Sequence, residues 1–143
     1  MLLDKKILGK IGLIEKTYAA LRFEDIATLQ MEIAETAEHY HGIPDYKAGL
    51  TWRPVVAGDP WGDNWKSAWF RGSIELPEGI VGPAYVRPRT GAPESQLIID
   101  GVYYGVVDVN HPVRLLSLTT EAGRTYTVHI EAYAGHGFPG TQP

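Results

Sequence analysis

The densest run of side chains able to recognise a ligand is Trp61, Trp65, Trp69 and Phe70, where indoles recur at four-residue steps. Exposed indole faces stack against the C–H faces of sugar rings, whereas buried ones fill cores because aromatic side chains remove large areas from water. Trp69 and Phe70 read as the start of a core strand, with Trp61 and Trp65 closing the loop before it. Those two are also kept as stacking platforms. Glycoside hydrolysis needs two carboxyl groups flanking a sugar, and Asp59 with Asp63, or Asp100 with Asp108, can be nominated for it. With 17 acidic residues among 143, such neighbours arise by number alone, and solvated loop carboxylates are the simpler reading.

Other arrangements fall short of a reaction centre. His39 and His41 lie two apart, close enough to share an ion on one strand face, but the other three of the five histidines are scattered and no carboxylate stands at a ligand spacing. Gly135, Gly137 and Gly140 spell G-x-G-x-x-G after an expected strand, yet only three residues follow, so the helix that would receive a pyrophosphate is missing. There is no Gly-x-Ser-x-Gly elbow and no Ser, His and Asp set. No catalytic residue, metal ligand or cofactor is assigned to this chain.

The elements that position these residues follow from patterning. Leu3, Ile7, Ile11, Ile14, Tyr18 and Leu21 recur at three- and four-residue steps, predicting one amphipathic helix from Leu3 to Leu21, with Asp4 as its N-cap. Gly9 and Gly12 inside it each cost about 1 kcal/mol against Ala, so the helix is expected to depend on docking against the domain. Leu29, Met31 and Ile33 alternate, giving a strand at 28–34, although Ile26, Leu29, Ile33 and Ala37 also fit a helical face.

Beyond the break at Gly42, Pro44 and Asp45, strands are expected at 50–56, 67–76, 83–89, 94–100, 102–108, 113–119 and 125–133. Phe70, Ile74 and Leu76 share one strand face and Arg71, Ser73 and Glu75 the other; Tyr126, Val128, Ile130 and Ala132 alternate with Thr127, His129 and Glu131. Asp100-Gly101 suits the positive φ angles of a type I′ hairpin turn. The expectation is a mainly β chain, an antiparallel sandwich or jelly roll with one N-terminal helix. It divides into a helix at 1–24 packed on the domain, a sandwich at 25–134 and a C-terminal loop at 135–143.

Composition bounds the function. With 44% hydrophobic and 21% charged residues the chain should fold as one domain, and 13 basic against 17 acidic residues leave a formal charge of -4 with no basic tract for a phosphate backbone. Nucleic acid is therefore not an expected partner. The first ten residues hold no apolar run of signal-peptide or membrane-span length, and cysteine is absent, so a cytoplasmic location is expected.

The strings W-G-D-N-W-K-S-A-W-F-R-G at 61–72, I-I-D-G-V at 98–102 and E-A-Y-A-G-H-G-F-P-G-T-Q-P at 131–143, in that order, resemble the N-terminal domain of glycoside hydrolase family 38 α-mannosidases. The resemblance implies a galactose-binding-like jelly roll standing ahead of a catalytic region that uses zinc and an aspartate nucleophile in a retaining mechanism. No position here matches the family's nucleophile or metal-ligand motifs, so that zinc is expected only in a catalytic region outside these residues. The chain is then a non-catalytic accessory domain, expected to contact the catalytic domain of the same polypeptide through His136, Phe138 and Gln142, with a homo-oligomer also considered. The alternative is a free-standing module for a mannose-containing sugar, using Trp61 and Trp65 as platforms and Arg71, Asp100, Asp108, Asn110 and His111 as hydroxyl partners.

Overall fold

Alternation of apolar and polar residues builds most of the molecule. The computed structural model describes residues 2–45, 48–119 and 121–135. Helix α1 spans Leu2–Ala20, followed by strands β1 (Gln30–Thr36), β2 (Arg53–Val55), β3 (Ser67–Glu75), β4 (Ala84–Val86), β5 (Glu94–Ile99), β6 (Val102–Asp108), β7 (Arg114–Ser117) and β8 (Thr125–Tyr133). Strands β2, β1, β3, β8, β5 and β6 form a six-stranded sheet in that order, and β4 pairs with β7 in a smaller one. Every pairing is antiparallel. The fold is a mainly β sandwich with one N-terminal helix, as the patterning predicts.

The core lies on one face of the larger sheet. Ile33, Phe70, Leu97, Ile99, Val128 and Ile130 are buried there, and Leu76 and Val86 join them beneath the smaller sheet. All but Leu76, which follows β3, lie on strands, and the removal of such side chains from water, about 1.5–3 kcal/mol per large side chain, drives the layers together. Two glycines answer specific needs. Asp100 and Gly101 take φ of +50° and +77° in the β5–β6 hairpin, the left-handed pair of a type I′ turn. Gly72, paired with Met31, lets β1 approach so closely that a Cβ there would stand 2.5 Å from the Gln30 carbonyl oxygen.

Several local expectations shift, and the strands expected at 50–56, 83–89 and 113–119 are shorter, at Arg53–Val55, Ala84–Val86 and Arg114–Ser117. The first strand runs two residues later than 28–34, because its partner is β3 and the register couples Gln30 with Ser73 and Thr36 with Ser67. Asp4 sits inside the first helical turn and not at its cap. There its carboxylate complements the positive end of the helix dipole. The apolar stripe expected to dock the helix on the domain is exposed: Ile7, Ile11, Ile14 and Tyr18 show 48 to 71% of their surface.

Candidate functional site

Residues opposite one another in register share a sheet face, so strand pairing fixes which side chains meet. On the face away from the main core, Glu32, Arg71, His129 and Ile98 form one row, and Ala34, Trp69, Glu131 and Gln96 form the next. Arg71 donates from Nε to Glu32 Oε2 at 2.8 Å, and its guanidinium lies 4.1 Å from the centre of the Trp52 ring. Both members of the ion pair are well exposed, which limits it to about 1 kcal/mol or less. Across the face, a Cβ added at Gly42 would lie 3.7 Å from Tyr103 Oη, so the connection between β1 and β2 crosses this side of the sheet.

Burial reaches deeper here than an outer sheet face requires. Trp69, Ala34 and Ile98 are each about 1% exposed although they lie outside the main core. Among the described residues, the buried Trp69 Nε1 and His129 Nδ1 find no hydrogen-bond partner. Burial lowers the His129 pKa below its ordinary value and the positive charge of Arg71 lowers it further, which favours neutral imidazole. Burial raises the Glu131 carboxyl above its ordinary value, partly opposed by His39. The two rows thus hold an imidazole that resists protonation, a carboxyl that resists ionisation and a stacked guanidinium beside one another.

Strand register scatters the residues nominated for sugar binding. The row Thr36, Ser67, Tyr133, Glu94 and Asp108 marks one end of the sheet, and Trp65 lies just before it. Arg71 is mid-sheet, and Asp100 sits at the opposite end beside Thr127. Trp61 offers no stacking platform: it is 6% exposed, donates from Nε1 to the Thr90 carbonyl at 2.6 Å and meets Phe70 edge-on at 5.5 Å. It forms the wall of a cleft of about 200 Å³ with Val55, Asp59, Phe70, Arg89 and Thr90. Trp65 is 65% exposed and adopts φ +64°, while its amide donates to the Gly135 carbonyl at 3.0 Å.

The nominated carboxylates are largely engaged in holding turns. Asp108 Oδ1 accepts from the amides of Asn110 and His111 at 2.8 and 2.7 Å, and His111 Nδ1 lies 3.1 Å away. These bonds, the His111 amide foremost, lower the Asp108 pKa. Asp100 Oδ1 accepts from the Thr127 amide at 2.8 Å, tying the hairpin to β8. His136, Phe138 and Gln142, with Gly137 and Gly140 of the glycine motif, lie outside the described residues.

Sequence reasoning missed Trp52, Glu32, His129 and Glu131 as neighbours of Arg71. Their polar alternation is visible in the chain, but only strand register places them side by side. Among the described residues no group of three or more His, Cys, Asp or Glu side chains is close enough to hold a metal ion. No helix among them is long and apolar enough to cross a membrane. Fold and site together define an antiparallel β-sandwich with an N-terminal helix. No protein-family model matches the chain, and no curated protein matches it either.

Proposed function

We propose that this chain is a non-catalytic, cytoplasmic accessory domain of a zinc-dependent retaining α-mannosidase resembling glycoside hydrolase family 38, with a galactose-binding-like jelly roll. The observation that carries the reading is the engagement of Asp100 and Asp108. The carboxylates nominated for chemistry bind backbone amides and hold turns, as a scaffold would use them. The resemblance of the sequence strings at 61–72, 98–102 and 131–143 supports the family named in this reading. In this reading the partner is the catalytic domain of the same polypeptide, and hydrolysis belongs to that domain.

The test is to extend the reading frame beyond Pro143, purify the longer product and compare it with this chain on a fluorogenic α-mannoside with added zinc. Hydrolysis by the longer product alone is expected. Turnover by the isolated chain, or a longer product inert on α-mannosides, overturns the proposal. The exposure of Trp65 favours a second reading, a module for a mannose-containing sugar. Saturable quenching of tryptophan fluorescence by mannobiose, lost in Trp65→Ala, would support it; a flat titration would remove it.

A further inference from the structure

Helix α1 carries an apolar stripe that the sandwich leaves uncovered. Ile7, Ile11, Ile14 and Tyr18 are 48, 53, 56 and 71% exposed, and their spacing of four, three and four residues is that of a coiled-coil seam. In that frame Ile11 and Tyr18 occupy a positions and Ile7 and Ile14 d positions, while the a position before them is Asp4, so the apolar seam begins at Ile7. Lys5, Lys6 and Lys16 fall on the back of the helix with Gly9 and Gly12. A helix of this length with two interior glycines is marginal alone in water and gains most of its stability from packing.

Charge at the flanks selects the occupant. Lys10 falls at a g position and Glu15 at the following e position, the pair that bridges two parallel helices and sets their orientation. Two copies aligned in parallel place Lys10 of each beside Glu15 of the other, forming two bridges, while Ile11 meets Ile11 and Ile14 meets Ile14. The basic residues on the back remain in solvent. We infer that α1 is a self-association element, and that the occupant of its apolar stripe is the same helix of a second copy in a parallel two-stranded coiled coil.

Sedimentation equilibrium of the whole chain is the primary test, with a dimer as the expected species. Ile14→Glu should abolish it, whereas Leu13→Glu, on the back of the helix, should leave it intact; the sandwich far from both sites reports folding through its tryptophan fluorescence. Lys10→Glu and Glu15→Lys should each weaken association roughly fivefold, and the double exchange should restore it. The chain has no cysteine, so Ile14→Cys gives a clean orientation readout: a parallel seam oxidises it to a linked dimer, and Leu13→Cys does not link. A monomer at every concentration overturns the inference. So do a dimer indifferent to Ile14→Glu, and preferential linkage of Ile11→Cys to Ile14→Cys in a mixture, which marks an antiparallel pair.

Discussion

Arg114, on β7, donates from Nη2 to the carbonyl oxygen of Val106 and covers part of the free rim of β6. That rim needs covering. β6 is a seven-residue edge strand with Val102, Tyr103 and Val106 exposed and with neither lysine nor proline. Such edges template pairing with other chains. The opposite edge, β2, is three residues long and contains Pro54, which cannot donate to a ladder. Arg114→Ala should therefore speed aggregation on prolonged incubation, read by light scattering, while Arg87→Ala should not. Equal rates for Arg114→Ala and the parent chain would show that the guanidinium does not guard the edge.

Gly72 tests how tightly β1 lies on β3. A methyl group there would stand 2.5 Å from both the Gln30 carbonyl oxygen and Met31 Sδ. The sulfur can swing aside, but the carbonyl belongs to the ladder. Gly72→Ala should destabilise the domain by about 1–3 kcal/mol through local overpacking, measured as a lower denaturation midpoint. An unchanged midpoint would mean that the two strands separate more readily than their register suggests.

Much of the fold was legible in the chain because period-two alternation and turn chemistry act locally. Asp100-Gly101 specified its hairpin through φ alone, and the alternation from Tyr126 to Ala132 assigned the buried side of β8 correctly. The candidate site was less legible because its neighbours come from distant segments. Trp69 and Arg71 lie on the same face of β3, yet one is buried and the other exposed, a difference that alternation along the strand does not encode. Trp61 shows the same gap from the other direction. Its type suits a sugar platform, whereas its contact with Phe70 and the Thr90 carbonyl makes it part of the wall.

Gly9 and Gly12 weaken α1 without a packing reason. A Cβ added at either position would meet none of the described residues within 4 Å, and neither has positive φ. Gly9→Ala and Gly12→Ala should each favour the helix by about 1 kcal/mol. The change should appear as stronger helical circular dichroism with little shift in the midpoint of sandwich unfolding. A loss of helical signal in either variant would show that the glycine backbone serves a contact on the back of the helix.

His129 and Glu131 should give opposing pH dependences of stability. His129 is held below its ordinary value of 6.5, so as pH falls through that value the unfolded chain takes up the proton first and stability declines until the folded pKa is reached. Glu131 is held above its ordinary value of 4.5. As pH rises from there, the unfolded chain loses the proton first, and stability declines until the folded pKa is passed. Asp108 acts lower, since its stabilising contribution is lost as pH falls beneath its ordinary value of 3.8. Glu131→Gln should therefore leave stability rising more steeply with pH between about 4.5 and 6.5, and His129→Gln should flatten or reverse that rise. Urea unfolding across the acid-to-neutral range measures both slopes. If neither variant changes its slope, the two side chains are more hydrated in solution than their burial on the outer face implies.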